Sequence, residues 1–155
     1  MKVSSILVVS ALLLGCAAVV EPSKTGEENK AVVRAYMERL INNGEWTAWG
    51  EFFNESVSFN GREMTRTDME GMAKTFGAIL EGYRLDVEEQ IGEADVVATR
   101  VTVTGKHTAD YMGLKASGKD LSFRGIAFDR IEDGKVVEMW HEMDIWGTLL
   151  MASDE

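Results

Sequence analysis

The chain has 155 residues and a formal net charge of −10, and 45% of its residues are hydrophobic. This length and composition indicate one folded domain rather than a disordered chain. Because a polyanion repels nucleic-acid phosphates and anionic lipid head groups, neither is an expected partner. The single cysteine excludes an intramolecular disulfide.

The N-terminus has the pattern of an export signal. Lys2 precedes a nearly apolar run, residues 3–14, which is too short to cross a bilayer as a mature helix. The run ends in Leu-Leu-Gly-Cys16, which resembles the bacterial lipobox, where cleavage before the cysteine exposes it for lipidation. The alternatives are an ordinary secretory signal and a buried helix.

The lipobox resemblance divides the chain into three segments. Residues 1–15 are expected to be a lipoprotein signal peptide, residues 16–26 the acylated Cys16 with a flexible tether, and residues 27–155 the folded domain. The lipid anchor would place the domain in the bacterial cell envelope, at the outer membrane if the cell is Gram-negative.

Three helices are predicted in the first half of the domain. The first runs from about Glu27 to Asn43 and has an apolar stripe. A short second helix carries four aromatic residues; we expect their rings in the core, with Trp49 or Phe53 also walling a pocket. The third begins at a capping-box pattern, Thr67 followed by Glu70.

The second half reads as strands. From Tyr83 onward the apolar period changes from helical to two. A short strand near Val57, followed by an Asn60-Gly61 turn, lies among the helices. Helices grouped before a run of four antiparallel strands, with a final short helix, favour an α+β domain.

The last hairpin holds the candidate site. Asp133-Gly134 predicts a tight turn between two strands, and alternation along the second strand separates its side chains into two faces. One face carries Trp140, Glu142 and Asp144. The other carries Met139, His141 and Met143. Because a tryptophan and two carboxylates are not the composition of a dry core, the first face is the better candidate, although both faces mix polar and apolar residues.

These stretches resemble the SnoaL-like polyketide cyclases of the nuclear-transport-factor-2-like superfamily. The match runs from about Lys30 to Met151 and includes the aromatic segment after Gly44 and the strand Arg100–Lys106. It also includes the hairpin with its E-x-W-x-x-x-D pattern, Glu138, Trp140 and Asp144. The resemblance implies a curved antiparallel sheet wrapped on N-terminal helices into a cone, a deep pocket for a small apolar molecule, and a homodimer.

The resemblance also implies catalysis without a metal or organic cofactor. Such cyclases close a ring by an intramolecular aldol reaction, in which an acidic residue removes a proton next to a carbonyl. Asp144 best matches that residue, since a carboxylate in an apolar pocket loses hydration and becomes a stronger base. The enolate needs a donor, which His141, His107 or Arg124 could supply, and the two histidines complete the candidate catalytic set. The candidate pocket residues are Tyr36, Trp49, Phe53, Arg124, Trp140 and Glu142.

Each of these assignments has a simpler alternative. Asp144 also stands where the last helix begins and could cap it, and His107 and His141 could be structural. The histidine spacing matches no metal signature. Two other functions remain open, namely an envelope lipoprotein that binds an apolar molecule without converting it, and an interaction module that acts through the sheet face.

The lipobox hypothesis predicts the fate of a Cys16→Ser variant expressed in a bacterial host. Because the acyl chains would be the membrane anchor, we expect the natural chain in the detergent-extracted membrane fraction and the variant outside it. Cell fractionation with an alkyne-labelled fatty acid checks both points. Equal fractionation of the two chains, with no label on either, would contradict the hypothesis.

Overall fold

The computed structural model describes residues 24–153. The helices are α1 (Lys24–Tyr36), α2 (Trp49–Phe52), α3 (Arg66–Ile79) and α4 (Ile145–Ser153). The strands are β1 (Phe53–Phe59), β2 (Arg62–Thr65), β3 (Leu80–Glu93), β4 (Val96–His107), β5 (Asp120–Glu132) and β6 (Lys135–Met143). The predictions for the signal peptide and Cys16 lie outside the described residues. Among residues 24–153, no helix is long and apolar enough to span a membrane.

The strands form one six-stranded sheet in the order β2-β1-β6-β5-β4-β3. The predicted α+β class with a curved sheet on N-terminal helices is confirmed, but the sheet is mixed rather than antiparallel. Strand β1 runs parallel to β6, and the chain between them passes through β2, α3, β3, β4 and β5. The short strand β2, which the sequence analysis did not predict, pairs with β1 at the sheet edge.

Two predicted turns form as tight hairpins. Asp133 and Gly134 both have positive φ, 49° and 76°, as a two-residue hairpin turn with the twist of its strands requires. Asn60 and Gly61 have nearly the same angles, 47° and 76°, between β1 and β2. Gly and Asn accept this left-handed conformation at little steric cost, so both turns are encoded locally.

The first helical segment differs from its prediction in its start and in the form of its last turn, while its end near Asn43 is as predicted. Helix α1 begins at Lys24 rather than Glu27, and it continues as a π-helical turn, Met37–Asn42. The end of this turn is tied to β3, because the Asn42 side chain accepts a hydrogen bond from the Leu85 N–H at 2.8 Å and donates one to the Leu85 carbonyl at 2.9 Å. The helical segment is therefore fixed against the sheet.

Helix α3 begins two residues earlier than predicted. Thr65 is its N-cap, and a complete capping box joins Thr65 to Asp68 rather than Thr67 to Glu70. The side chain of Asp68 accepts from the Thr65 N–H at 3.2 Å, and the Thr65 hydroxyl accepts from the Asp68 N–H at 3.1 Å. The sequence contains both patterns; the end of β2 at Thr65 decides between them.

Alternation on β5 defines the two faces of the sheet. The inward positions are buried in an unbroken row that comprises Leu121, Phe123, Gly125, Ala127, Asp129 and Ile131. The outward positions between them, from Ser122 to Phe128, are exposed. The helices cover the inward face, so the core and the site lie between helices and sheet.

Candidate functional site

A large cavity lies between the helices and the inward face of the sheet. Its volume is about 840 Å³, which is in the range of small-molecule sites. Its wall is predominantly aromatic and aliphatic, with five methionines and eight aromatic side chains. The aromatic residues are Tyr36, Trp46, Trp49, Phe53, Phe59, Phe76, Tyr83 and Tyr111. Methionine side chains adapt to irregular ligand shapes, so the cavity suits an apolar molecule.

A buried carboxylate lies behind this apolar wall. Asp129 occupies an inward position of β5 and has no exposed surface. The hydroxyl of Tyr36, which α1 brings to the cavity, lies 3.2 Å from each carboxylate oxygen of Asp129 and donates to them. Burial raises the pKa of Tyr36 well above its usual value of 10, and the Asp129 charge raises it further. Tyr36 therefore remains a protonated donor across the physiological pH range.

His141 lies beside the same carboxylate. Asp129 is opposite Met139 and His141 is opposite Ala127, so the histidine and the aspartate are diagonal neighbours on the inward face. The Nε2 atom of His141 is 3.9 Å from Asp129 Oδ1, which is an electrostatic contact rather than a hydrogen bond. This nitrogen is buried and has no hydrogen-bond partner within residues 24–153.

The backbone of His141 is held by the turn between β1 and β2. The Asn60 side chain accepts from the His141 N–H at 2.8 Å and donates to the His141 carbonyl at 3.2 Å. The Asn60 N–H donates to the Met139 carbonyl at 2.9 Å. The Phe59 ring meets the His141 ring edge to face, with centroids 5.5 Å apart. These contacts hold His141 at the cavity wall, with Nε2 toward Asp129.

The structure divides the predicted pocket residues between the two faces of the sheet. Tyr36, Trp49 and Phe53 line the cavity, as does His141. Trp140, Glu142 and Arg124 are exposed on the outward face and do not line it. The cavity therefore lies on the opposite face of β6 from the one that the sequence analysis favoured. A tryptophan is stable on the outer face because its indole N–H donates to Glu138 Oε1 at 2.8 Å.

Asp144 and His107 lie outside the cavity lining. Asp144 is exposed and directly precedes α4. Its carboxylate lies close against Gly147, since a methyl group added at that glycine would come within 2.5 Å of Asp144 Oδ1. Its carboxylate therefore lies beside the first turn of α4, at the position of an N-terminal cap. His107 is fully buried at the end of β4, where its Nδ1 accepts from the Ser117 N–H at 3.2 Å. This bond closes the loop between β4 and β5.

Asp129 is the site residue that the sequence analysis missed. Its signal was an acidic residue in the inward register of β5, two positions after Ala127 and two before Ile131. An ionisable group in a buried apolar row is a functional candidate because its burial is costly without a partner. Within residues 24–153, no cluster of three or more His, Cys, Asp or Glu side chains is arranged to hold a metal ion.

Comparisons with known proteins identify the architecture. The sequence profile of the SnoaL-like polyketide cyclase family matches residues 30–150. A SnoaL-like polyketide cyclase from Agrobacterium tumefaciens superposes with a TM-score of 0.72 at 20% identity, covering 79% of this chain and 95% of that one. TsrD from Streptomyces laurentii gives a TM-score of 0.71 at 21% identity, covering 83% and 98%.

AclR from Streptomyces galilaeus, provisionally described as a hydroxylase, gives a TM-score of 0.70 at 24% identity, covering 84% of this chain and 98% of that one. At these identities the structural likeness shows a shared fold. No curated protein matches the sequence.

A Tyr36→Phe variant tests the bond to Asp129. At neutral pH it removes a donor from a buried acceptor, and we expect the free energy of unfolding to fall by about 1–3 kcal/mol. Unfolded tyrosine ionises above pH about 10, whereas the raised pKa keeps folded Tyr36 protonated. The natural protein therefore loses stability as pH rises through this range, and its advantage over the variant should shrink by about 1.4 kcal/mol per pH unit.

Urea unfolding of both proteins from pH about 8 to about 11 measures this difference. Tyr83→Phe is the control, because burial raises the pKa of Tyr83 to about 12. Tyr83 therefore also makes the natural protein lose stability as pH rises, but without the bond to Asp129 that Tyr36 makes. A difference between Tyr36→Phe and the natural protein that does not change with pH would contradict the assignment.

Proposed function

Because the chain belongs to the SnoaL-like polyketide cyclase family, we propose that its cavity binds an apolar, carbonyl-bearing small molecule and that His141 moves a proton on it. The observation that carries the proposal is the buried Asp129 carboxylate beside His141, behind the wall of an 840 Å³ cavity. The reaction class is cofactor-free proton abstraction next to a carbonyl, as an aldol cyclisation or an isomerisation requires.

The position of Asp129 beside His141 bears on which imidazole nitrogen carries the proton. A carboxylate near Nε2 favours the tautomer with its proton there, so Nδ1 carries the lone pair that can accept a proton from the ligand. When His141 takes that proton, it becomes a cation 3.9 Å from a buried anion, and the two charges stabilise each other in a site of low dielectric constant. Loose contacts of this kind commonly tighten when a substrate binds.

The proton transfer is balanced within the ligand and the imidazole. The C–H bond next to the carbonyl breaks, an N–H bond forms at Nδ1, and the electron pair passes to the carbonyl oxygen as an enolate. The proton then returns to carbon in an isomerisation, or to the oxygen of the carbonyl that the enolate attacks in a cyclisation. Tyr36 keeps its proton and holds Asp129 in place, so it is a positioning residue.

Exchange of the α-protons of 2-tetralone in D₂O, followed by proton NMR, tests this role with a defined apolar ketone. We expect the protein to accelerate exchange, His141→Gln to lose about 10²–10⁴-fold of that acceleration, and Asp129→Asn to lose a large part of it. Asp144→Asn is the matched control, since the Asp144 carboxylate is exposed outside the cavity. This variant should accelerate the exchange of the ketone protons as much as the natural protein does.

Two other outcomes would change the assignment. Loss of exchange in Asp144→Asn with full activity in His141→Gln would make Asp144 the base. Saturable binding of 2-tetralone, with exchange no faster than in buffer for any of the four proteins, would favour an envelope protein that binds its ligand without converting it.

The outward face of the sheet favours a second proposal, that the protein forms a homodimer. Ile91, Ala98, Phe128 and Trp140 are successive partners in one row across β3, β4, β5 and β6. Three of these side chains are large, apolar and between 47% and 66% exposed. An exposed apolar row marks an interaction surface, and in a two-fold dimer the same row of each copy would meet the other.

A Phe128→Glu variant tests the homodimer. A charge at the centre of an apolar interface loses hydration without a partner, so we expect sedimentation equilibrium to show a dimer for the natural protein and a monomer for the variant. Ser122→Glu, an exposed outward position of β5 away from the row, should remain dimeric. A natural protein that sediments as a monomer at all concentrations would contradict the proposal.

A further inference from the structure

The charge on the cavity wall differs from the charge on the rest of the protein. The chain has 26 acidic and 16 basic residues, yet among residues 24–153 the lining includes no aspartate or glutamate. Lys74 is the one lysine in that lining, and no arginine is part of it. Among these residues, the one ammonium group that a ligand in the cavity could meet therefore belongs to Lys74.

Lys74 is positioned at the cavity rim by contacts from two directions. It lies on α3, pairs with Glu70 one turn earlier, and its side chain is 47% exposed. Its Nζ atom is 5.2 Å from the centre of the Trp46 ring, which belongs to the helical turn Trp46–Ala48. A cation over an indole face is attracted electrostatically, so the ammonium group is drawn toward Trp46, which also lines the cavity.

The position of Lys74 constrains the chemistry of the ligand. The acidic surface repels anions in general, but at the rim an anion would meet an ammonium group that is already partly removed from water. Charge-assisted hydrogen bonds of this kind are stronger than neutral ones. The buried wall behind the rim is apolar, so it would hold the uncharged body of the same molecule.

We propose that Lys74 anchors an acidic group of the ligand, so that the cavity takes an amphipathic anion, an apolar body carrying one carboxylate-like or sulfonate-like group. The anionic end stays at the rim beside Trp46 and Lys74, while the body occupies the cavity. This inference rests on the proposed binding of a small molecule there and adds the charge of that molecule. Glu70 competes for the same ammonium group, so it limits the affinity for the anion.

Two fluorescent probes with the same aromatic body test the charge preference. One is 8-anilinonaphthalene-1-sulfonate, which carries a sulfonate, and the other is N-phenyl-1-naphthylamine, which does not. The dissociation constant of the uncharged probe divided by that of the sulfonate, measured by fluorescence titration of the full-length protein, isolates the contribution of the charge. This ratio rises with the preference for the sulfonate. We expect Lys74→Met, which keeps the side-chain length, to reduce the preference for the sulfonate by roughly two- to tenfold.

A reciprocal variant and a matched control sharpen the test. Glu70→Gln removes the competing carboxylate, and it should increase the preference for the sulfonate. Lys115→Met is the control, because Lys115 pairs with Asp110 at 2.6 Å but does not line the cavity, and it should leave the ratio unchanged. Raising ionic strength from about 0.05 M to about 0.5 M should lower the ratio in the natural protein but not in Lys74→Met.

The outcomes separate this inference from the function on which it rests. If both probes bind but the ratio is the same in the natural protein, Lys74→Met and Glu70→Gln, the cavity binds apolar molecules and the anionic anchor is wrong. If neither probe binds at concentrations up to about 1 mM, the binding function itself is contradicted, and the anchor with it. A lowered ratio in Lys115→Met equal to that in Lys74→Met would show a general surface-charge effect and would also overturn the anchor.

Discussion

The Asp129 carboxylate is buried in an otherwise apolar sheet face, and the rest of the site is arranged around it. Removing a carboxylate from water costs several kcal/mol unless polar partners offset the loss. Here the hydroxyl of Tyr36 comes from α1 and the imidazole of His141 from β6. Because the partners belong to different elements, the site is complete only when helix and sheet are docked.

The remaining contacts of the site follow from the same docking. Asn42 ties the end of the first helical segment to β3, and Asn60 continues the pairing of β1 with β6 through its side chain. Aromatic rings such as Trp49 and Phe53, with centroids 4.8 Å apart, then form a wall rather than a filled core. The result is one roomy apolar cavity with a polar pair behind its wall and a cation at its rim, which is a combination suited to binding and orienting a small molecule.

Much of the fold is readable from the sequence because its signals are local. The Asp133-Gly134 and Asn60-Gly61 turns depend on residues that accept positive φ, and the alternation on β5 needs only its own residues. The parallel pairing of β1 with β6 was not predictable in this way, since it joins segments about 80 residues apart. The cap of α3 was misplaced by two residues because Thr65 and Thr67 offer similar local patterns and only the end of β2 separates them.

The sequence by itself determined the family, the α+β class and the division of β6 into two faces, because each depends on composition, motif or period. Only the tertiary structure decided which face is inside. Alternation is unchanged when the two faces are exchanged, so Trp140 with Glu142 and Met139 with His141 were equivalent until the helices covered one of them. The meeting of Asp129 with His141 and Tyr36 was decided in the same way, because strand register and helix docking bring together side chains that are distant in the chain.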